Sequence, residues 1–137
     1  MRVVLDSNVL IAAFAARGTC AELLEHCVRE HQLLTSDYIL AEVRRNLVSK
    51  LKLSARDADD AVRLLRTRLP VVEPIDLGRR VCRDVEDDPI LGTAVAARCE
   101  LLVTGDQDLL EMALYEGTRI VSPRGFWSHE GRGPGGE

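Results

Sequence analysis

The segment Val3-Val4-Leu5-Asp6-Ser7-Asn8 constrains this chain more than any other stretch. Three consecutive apolar residues offer no polar face to water, so in an extended conformation they need cover on both sides, as a strand inside a parallel sheet has. The run stops at a carboxylate and an amide, and a second apolar run begins at Val9. The same arrangement returns late in the chain, where Leu101-Leu102-Val103 is followed by Thr104-Gly105-Asp106. In open parallel sheets, ligands bind beyond the carboxyl ends of the strands. Asp6 and Asp106 therefore belong on one rim before any other element is assigned.

The rest of the chain fits around those two strands. Residues 2–5 and 101–103 are predicted as buried strands, with shorter extended segments at 33–34, 71–72 and 119–121. A short helix is expected over 9–16. A second, opened by the capping box Thr19-Cys20-Ala21-Glu22, runs to about 31 with Leu23, Leu24, Cys27 and Val28 as its apolar face. Ser36 or Asp37 caps a helix carrying Leu40, Val43, Leu47 and Leu51 at helical spacing. Ser54 opens another, with Ala58, Ala61, Val62 and Leu65 inward, and Pro70 ends it. Residues 77–83 read as a short helix. Asp88 as N-cap, with Pro89 in the first turn, opens a helix of small apolar residues. A last helix follows Asp106 and closes at Gly117.

Strands alternating with helices predict an α/β fold, a helix-rich three-layer α/β/α sandwich around a central parallel sheet. A length of 137 residues suits one domain, assigned to residues 1–124. Residues 125–137 are read as a tail whose end, GRGPGGE, is expected to be disordered.

Composition narrows the function classes. No apolar run reaches the roughly 18 residues of a membrane span, and no signal peptide is read at the start, so a cytoplasmic setting is expected. Cys20, Cys27, Cys82 and Cys99 form no C-x-x-C pair, and His26, His31 and His129 complete no zinc spacing; the cysteines are read as reduced thiols. The net charge of -4 does not advertise a nucleic-acid binder as a whole. Of the 18 cations all but Lys50 and Lys52 are arginine. No G-x-G-x-x-G or G-K-[ST] loop is present.

The acids carry the chemistry. Asp6 and Asp106 follow strands, Asp88 opens a helix leading to the second strand, and Glu42 lies one turn into its own helix. Carboxylates brought together repel, so such a group persists only around positive charge. Hard oxygen donors suit Mg2+ or Mn2+, and such ions bind phosphate substrates and activate water for in-line attack. Metal-dependent phosphodiester hydrolysis is the reaction this predicts. Structural alternatives stand beside it. Asp88 and Asp106 are good helix caps, Asp108 suits a positive helix start, Asn8 can cap the helix that follows it, and Glu42 can face solvent. Arg44, Arg45, Lys50 and Lys52 either meet RNA phosphates or form a solvated helix face.

Four segments together resemble a known family. VVLDSNVLIAAF is similar to the first motif of PIN-domain ribonucleases, YILAEVRRNL to the second, and DDPILGTAVAARCELLVTGDQDLL to the third and fourth. The likeness spans residues 2 to 122. It implies an α/β/α sandwich with a parallel sheet, endoribonuclease activity on RNA, and a Mg2+ or Mn2+ site. It also implies the toxin role of a toxin–antitoxin pair, with a cognate antitoxin protein as partner, and a homodimer. By position, Asp6, Glu42, Asp88 and Asp106 match the acids, with Asp6, Asp88 and Asp106 on the metal. Asn8 and Thr104 match supporting polar positions, and Asp108 backs up Asp106. Asp87 adjoins Asp88, and a one-residue slip exchanges them; Asp88 is preferred for its spacing to Leu91, Gly92 and Ala94.

Three other readings compete with the nuclease. A haloacid-dehalogenase-like phosphohydrolase also starts with a strand ending in Asp, but it needs a second Asp where Asn8 stands and a lysine near a late strand. A response-regulator receiver needs a late lysine too. A catalytically weak PIN-fold binding or regulatory module keeps the scaffold and loses the reaction; metal-dependent RNA cleavage separates it from the nuclease.

Overall fold

The two wholly apolar runs pair directly with each other at the centre of the molecule. The computed structural model describes residues 1–15 and 18–131. Strand β1 (Arg2–Leu5) hydrogen-bonds in parallel with β2 (Gln32–Leu34) on one side and β3 (Leu101–Val103) on the other. Beyond β3 lie β5 (Thr118–Val121), parallel, and β4 (Leu114–Tyr115), antiparallel, giving the order β2-β1-β3-β5-β4. Val3, Val4, Leu101, Leu102 and Val103 are at most 1% exposed, the two-sided cover that unbroken apolar strands require.

Helices fill the crossovers and complete a three-layer α/β/α sandwich. They are α1 (Ser7–Ala15), α2 (Thr19–Glu30), α3 (Asp37–Ser49), α4 (Ala55–Arg68), α5 (Asp88–Ala97), α6 (Gln107–Met112) and α7 (Pro123–His129). The hydroxyls of Ser36 and Ser54 accept from the amides of Ile39 and Asp57, so α3 and α4 begin at side-chain caps. Ile39, Leu40, Val43 and Leu47 bury the inner face of α3.

Several expectations change. Thr19 lies inside α2; the cap is Gly18, with no side-chain bond, so the capping box does not form. Residue 16 of the first expected helix lies outside the described residues. Residues 77–83 form no helix, and Val71 makes only a single bridge to Thr35. The helix expected through Gly117 stops at Met112. Ala113 takes φ 67, and the chain turns back as a β4–β5 hairpin through Glu116 (φ 50) and Gly117 (φ 85), the two positive dihedrals a tight hairpin turn needs. The boundary at 124 falls within α7, whose Phe126 and Trp127 are buried against the core. Most of the Gly/Pro-rich tail, residues 132–137, lies outside the described residues.

Candidate active site

The parallel ladder does not end with the strands. The amide of Asp6 donates to the Val103 carbonyl (2.9 Å), and that of Thr104 to the Val121 carbonyl (2.9 Å). Both residues thus begin the rim as members of the sheet. Asp6 is 2% exposed. Its Oδ1 accepts from the Ser7 amide (2.6 Å) and its Oδ2 from the Thr104 hydroxyl (2.8 Å) and Asn8 Nδ2 (3.3 Å). Burial pushes Asp6 up to about 6; the Thr104 and Ser7 bonds offset this only in part, and the charges of Glu42 and Asp106 add to it.

Asn8 and Thr104 hold the loop after β3 onto that carboxylate. Asn8 Oδ1 accepts from the Gly105 amide (3.0 Å), and the Thr104 hydroxyl accepts from the Asp106 amide (3.0 Å) while donating to Asp6. Gly105 has only the Asn8 side chain near it on its Cβ side, at 3.5 Å. Asp106 is the N-cap of α6: its Oδ1 accepts from the Asp108 amide (2.9 Å). Capping and membership of the acid group coexist, because a carboxylate has lone pairs for both.

Glu42 joins from α3. Its Oε1 accepts from the Ser7 hydroxyl (3.0 Å), which also lies 3.4 Å from Asp6 Oδ1. Ser7 therefore bridges two acids, a role the sequence reading missed. Buried Thr93 fixes α3 against α5, its hydroxyl 2.8 Å from both Ser36 Oγ and the Pro89 carbonyl.

The third acid differs from the preferred register. Asp88 turns away from the rim: its carboxylate accepts from the amides of Cys82 (2.7 Å) and Val81 (3.2 Å). Burial opposes its ionisation, but the Cys82 thiol, these amides and Arg80 hold it below the usual carboxylate range. Asp87, the N-cap position of α5, faces the acids instead and lies within hydrogen-bond reach of Asp106. Burial, then Asp106, Asp6 and Asp84, push it up to about 7. The physical reason is the 3-10 turn Val85–Asp87, capped by the Asp84 carboxylate at the Glu86 amide. It rotates consecutive side chains apart, and the loop at 81–82 takes Asp88. Tyr38 on α3 braces the turn, its hydroxyl donating to the Glu86 carbonyl (2.7 Å).

The remaining expected positions are peripheral. Asp108 pairs outward with Arg83 (3.2 Å). Arg45 reaches Glu42 Oε2 at 3.8 Å, whereas Arg44 is held by Asp59 of α4 (2.5 Å). Lys50 caps the far end of α3, roughly 12 Å along the helix from Glu42. Exposed Lys52 lies beyond it at φ 60. All four cysteines are free thiols.

Asp6, Glu42, Asp87 and Asp106, carried by four different segments, thus gather at the carboxyl ends of β1 and β3. Two are pushed toward protonation by burial and then by the others, and no cation but Arg45 is paired with them among the described residues. Such a set of hard oxygen donors, short of positive charge, is of the donor chemistry that suits a divalent ion. An open groove of about 420 Å3, lined by Asn8, Gly105 and Asp106 among others, leads to it.

A family model described as a PIN domain matches residues 2–108. No curated protein matches by sequence. Among solved structures, the chain is similar to VapBC2 from Rickettsia felis, bound to a DNA fragment from their promoter. The TM-score there is 0.63 at 15% identity, covering 89% of this chain and 98% of that one. It is also similar to VapBC-1 from nontypeable Haemophilus influenzae, with TM-score 0.63 and 18% identity, covering 90% and 98%.

Proposed function

Because the chain belongs to the PIN-domain family, we propose that it is a metal-dependent endoribonuclease, the toxin of a toxin–antitoxin pair acting in the cytoplasm. The observation that carries this reading is the convergence of Asp6, Glu42, Asp87 and Asp106 on one rim, with Asp6 and Asp87 held up near 6 and 7 by burial and by their neighbours. Asp6, Asp87 and Asp106 would hold Mg2+ or Mn2+, with Glu42 direct or through water. Asp88 serves to fix the 81–82 loop. The ion supplies charge neutralisation at a phosphodiester and makes water a better nucleophile.

The protein's own residues set the geometry. Ser7 keeps the Asp6 and Glu42 carboxylates at a fixed separation. Thr104 and Asn8 orient Asp6 and lock the loop that carries Asp106. Arg45, beside Glu42, is the arginine placed to meet a phosphate at the rim; Lys50 and Lys52 would contact RNA further along the strand. Single-stranded RNA, or an unpaired region of a folded one, suits an open groove at the rim.

A partner reading follows from a second region. Phe14, Leu24, Val28, Leu64 and Leu69 line an apolar groove between α1, α2 and α4. Val28 and Leu64 are exposed there (36% and 54%). A cognate antitoxin would cover it. The similarity to the VapBC structures supports a protein partner for this chain.

The test is cleavage of single-stranded RNA with Mn2+ or Mg2+. Activity should vanish with EDTA and in Asp6→Asn. Equal cleavage by wild type and variant refutes the nuclease reading and leaves a binding module on the PIN scaffold.

A further inference from the structure

A second group of metal-ligating side chains lies at the other end of β1. His26 sits in the penultimate turn of α2, His31 just past its end, and Glu130 just past α7. The Nε2 atoms of His26 and His31 each lie 2.8 Å from the same oxygen, Glu130 Oε1. The three candidate ligand atoms all lie within 4.8 Å of one another. The side chains are 5%, 11% and 16% exposed, so the cluster is largely shut off from solvent. The rings of Phe126 and Trp127 pack against His26, with centroids at 5.8 and 5.1 Å. The second nitrogen of His31, Nδ1, faces the Met1 amine at 3.2 Å.

We propose that His26, His31 and Glu130 form a zinc site, separate from the acidic rim, that staples α7 to α2. The proposal does not rest on the nuclease reading. Two imidazoles and one carboxylate are a donor set for a borderline transition metal rather than for Mg2+, and they leave one tetrahedral position for water. Ligand atoms about 3.4 Å apart are what tetrahedral zinc requires at its usual bond lengths. The observed spacing reaches this by small side-chain rotations. In the metal-free protein each Nε2 carries the proton shared with Glu130. On zinc uptake the Nε2 lone pairs and the carboxylate become ligands, and each ring carries its proton on Nδ1. Met1 and the packed aromatic rings then orient the ligands from outside, as outer partners do in metal sites.

The experiment uses the full chain, stripped of metal and kept in excess Mg2+, so that the acidic rim is occupied by an ion that competes poorly for imidazole. Co2+ is titrated as the probe. One equivalent should bind with the intense visible bands of tetrahedral nitrogen coordination and be displaced by one equivalent of Zn2+, which also raises the melting temperature. His31→Gln and Glu130→Gln should each weaken Co2+ binding at least tenfold with far-UV circular dichroism unchanged. Imidazole 15N spectra of the wild type, which need no variant, should show Nε2 of both His26 and His31 moving on zinc addition. Absence of the one-equivalent spectrum, or unmoved His26 and His31 nitrogens, overturns the proposal and leaves a hydrogen-bonded clamp.

Discussion

A group of carboxylates and a single glutamate held by two histidines bracket β1, and the acids ionise in opposite directions. At its carboxyl end Asp6 is surrounded by other acids, and burial together with Glu42 and Asp106 raises it to about 6. At its amino end burial also disfavours the Glu130 anion, yet hydrogen bonds from His26 and His31 outweigh burial and hold it below its ordinary value. What surrounds a shielded carboxyl therefore decides its charge. The Glu130 cluster is balanced by groups of the chain itself. The rim is not, and its imbalance is what makes it a place for an ion supplied from outside.

The largest expected effect tests which acids belong to the rim. Asp87→Asn should lower kcat/KM for RNA cleavage by about 100-fold or more, whereas Asp88→Asn should cost no more than about tenfold, the lower end for a residue that orients others. The reverse order would restore the register with Asp88 on the metal.

The second tests the sign of the rim. An acid whose folded pKa exceeds its unfolded value of 3.8 binds its proton more tightly when folded. The rim's contribution to metal-free stability should therefore be fully present below about pH 4 and be lost as pH rises through 6 to 7. The share from Asp6 is on the order of 3 kcal/mol. Denaturant melts in EDTA should show this slope, flattened by Asp6→Asn and removed by Mg2+. A rising slope would mean the acids are not crowded.

The third tests the other end of the strand. Glu130→Gln should cost about 1.5 kcal/mol at neutral pH, the scale of hydrogen bonds to a charged group. Because the folded pKa of Glu130 lies below 4.5, the gap between wild type and variant should close as pH falls beneath that value. A constant gap would assign the loss to packing. The smallest effect is at the surface: Arg83→Ala breaks an exposed pair with Asp108 and should shift stability by no more than about 0.5 kcal/mol.

Much of the scaffold was readable because each signal was local. Apolar runs marked β1 and β3, and Ser36 and Ser54 marked the starts of α3 and α4. Asp6, Glu42 and Asp106 needed only the rule that strand ends and helix starts share a rim. The choice between Asp87 and Asp88 depended instead on a 3-10 turn and on amides at 81 and 82, a contact that adjacent identical residues do not announce. The hairpin after Met112 was hidden because its apolar residues continue the helical pattern of α6. Phe126 and Trp127 were overlooked beside a Gly/Pro-rich end. The histidine cluster was invisible as a spacing, since its third donor lies 99 residues beyond His31.

The hydrogen bond from the Asp6 amide to Val103 has a kinetic consequence. That proton can exchange with solvent only when the central ladder opens, so it should be among the slowest in the molecule. Local fraying then cannot disarm the anchor of the acidic rim. The pocket persists as long as the sheet does.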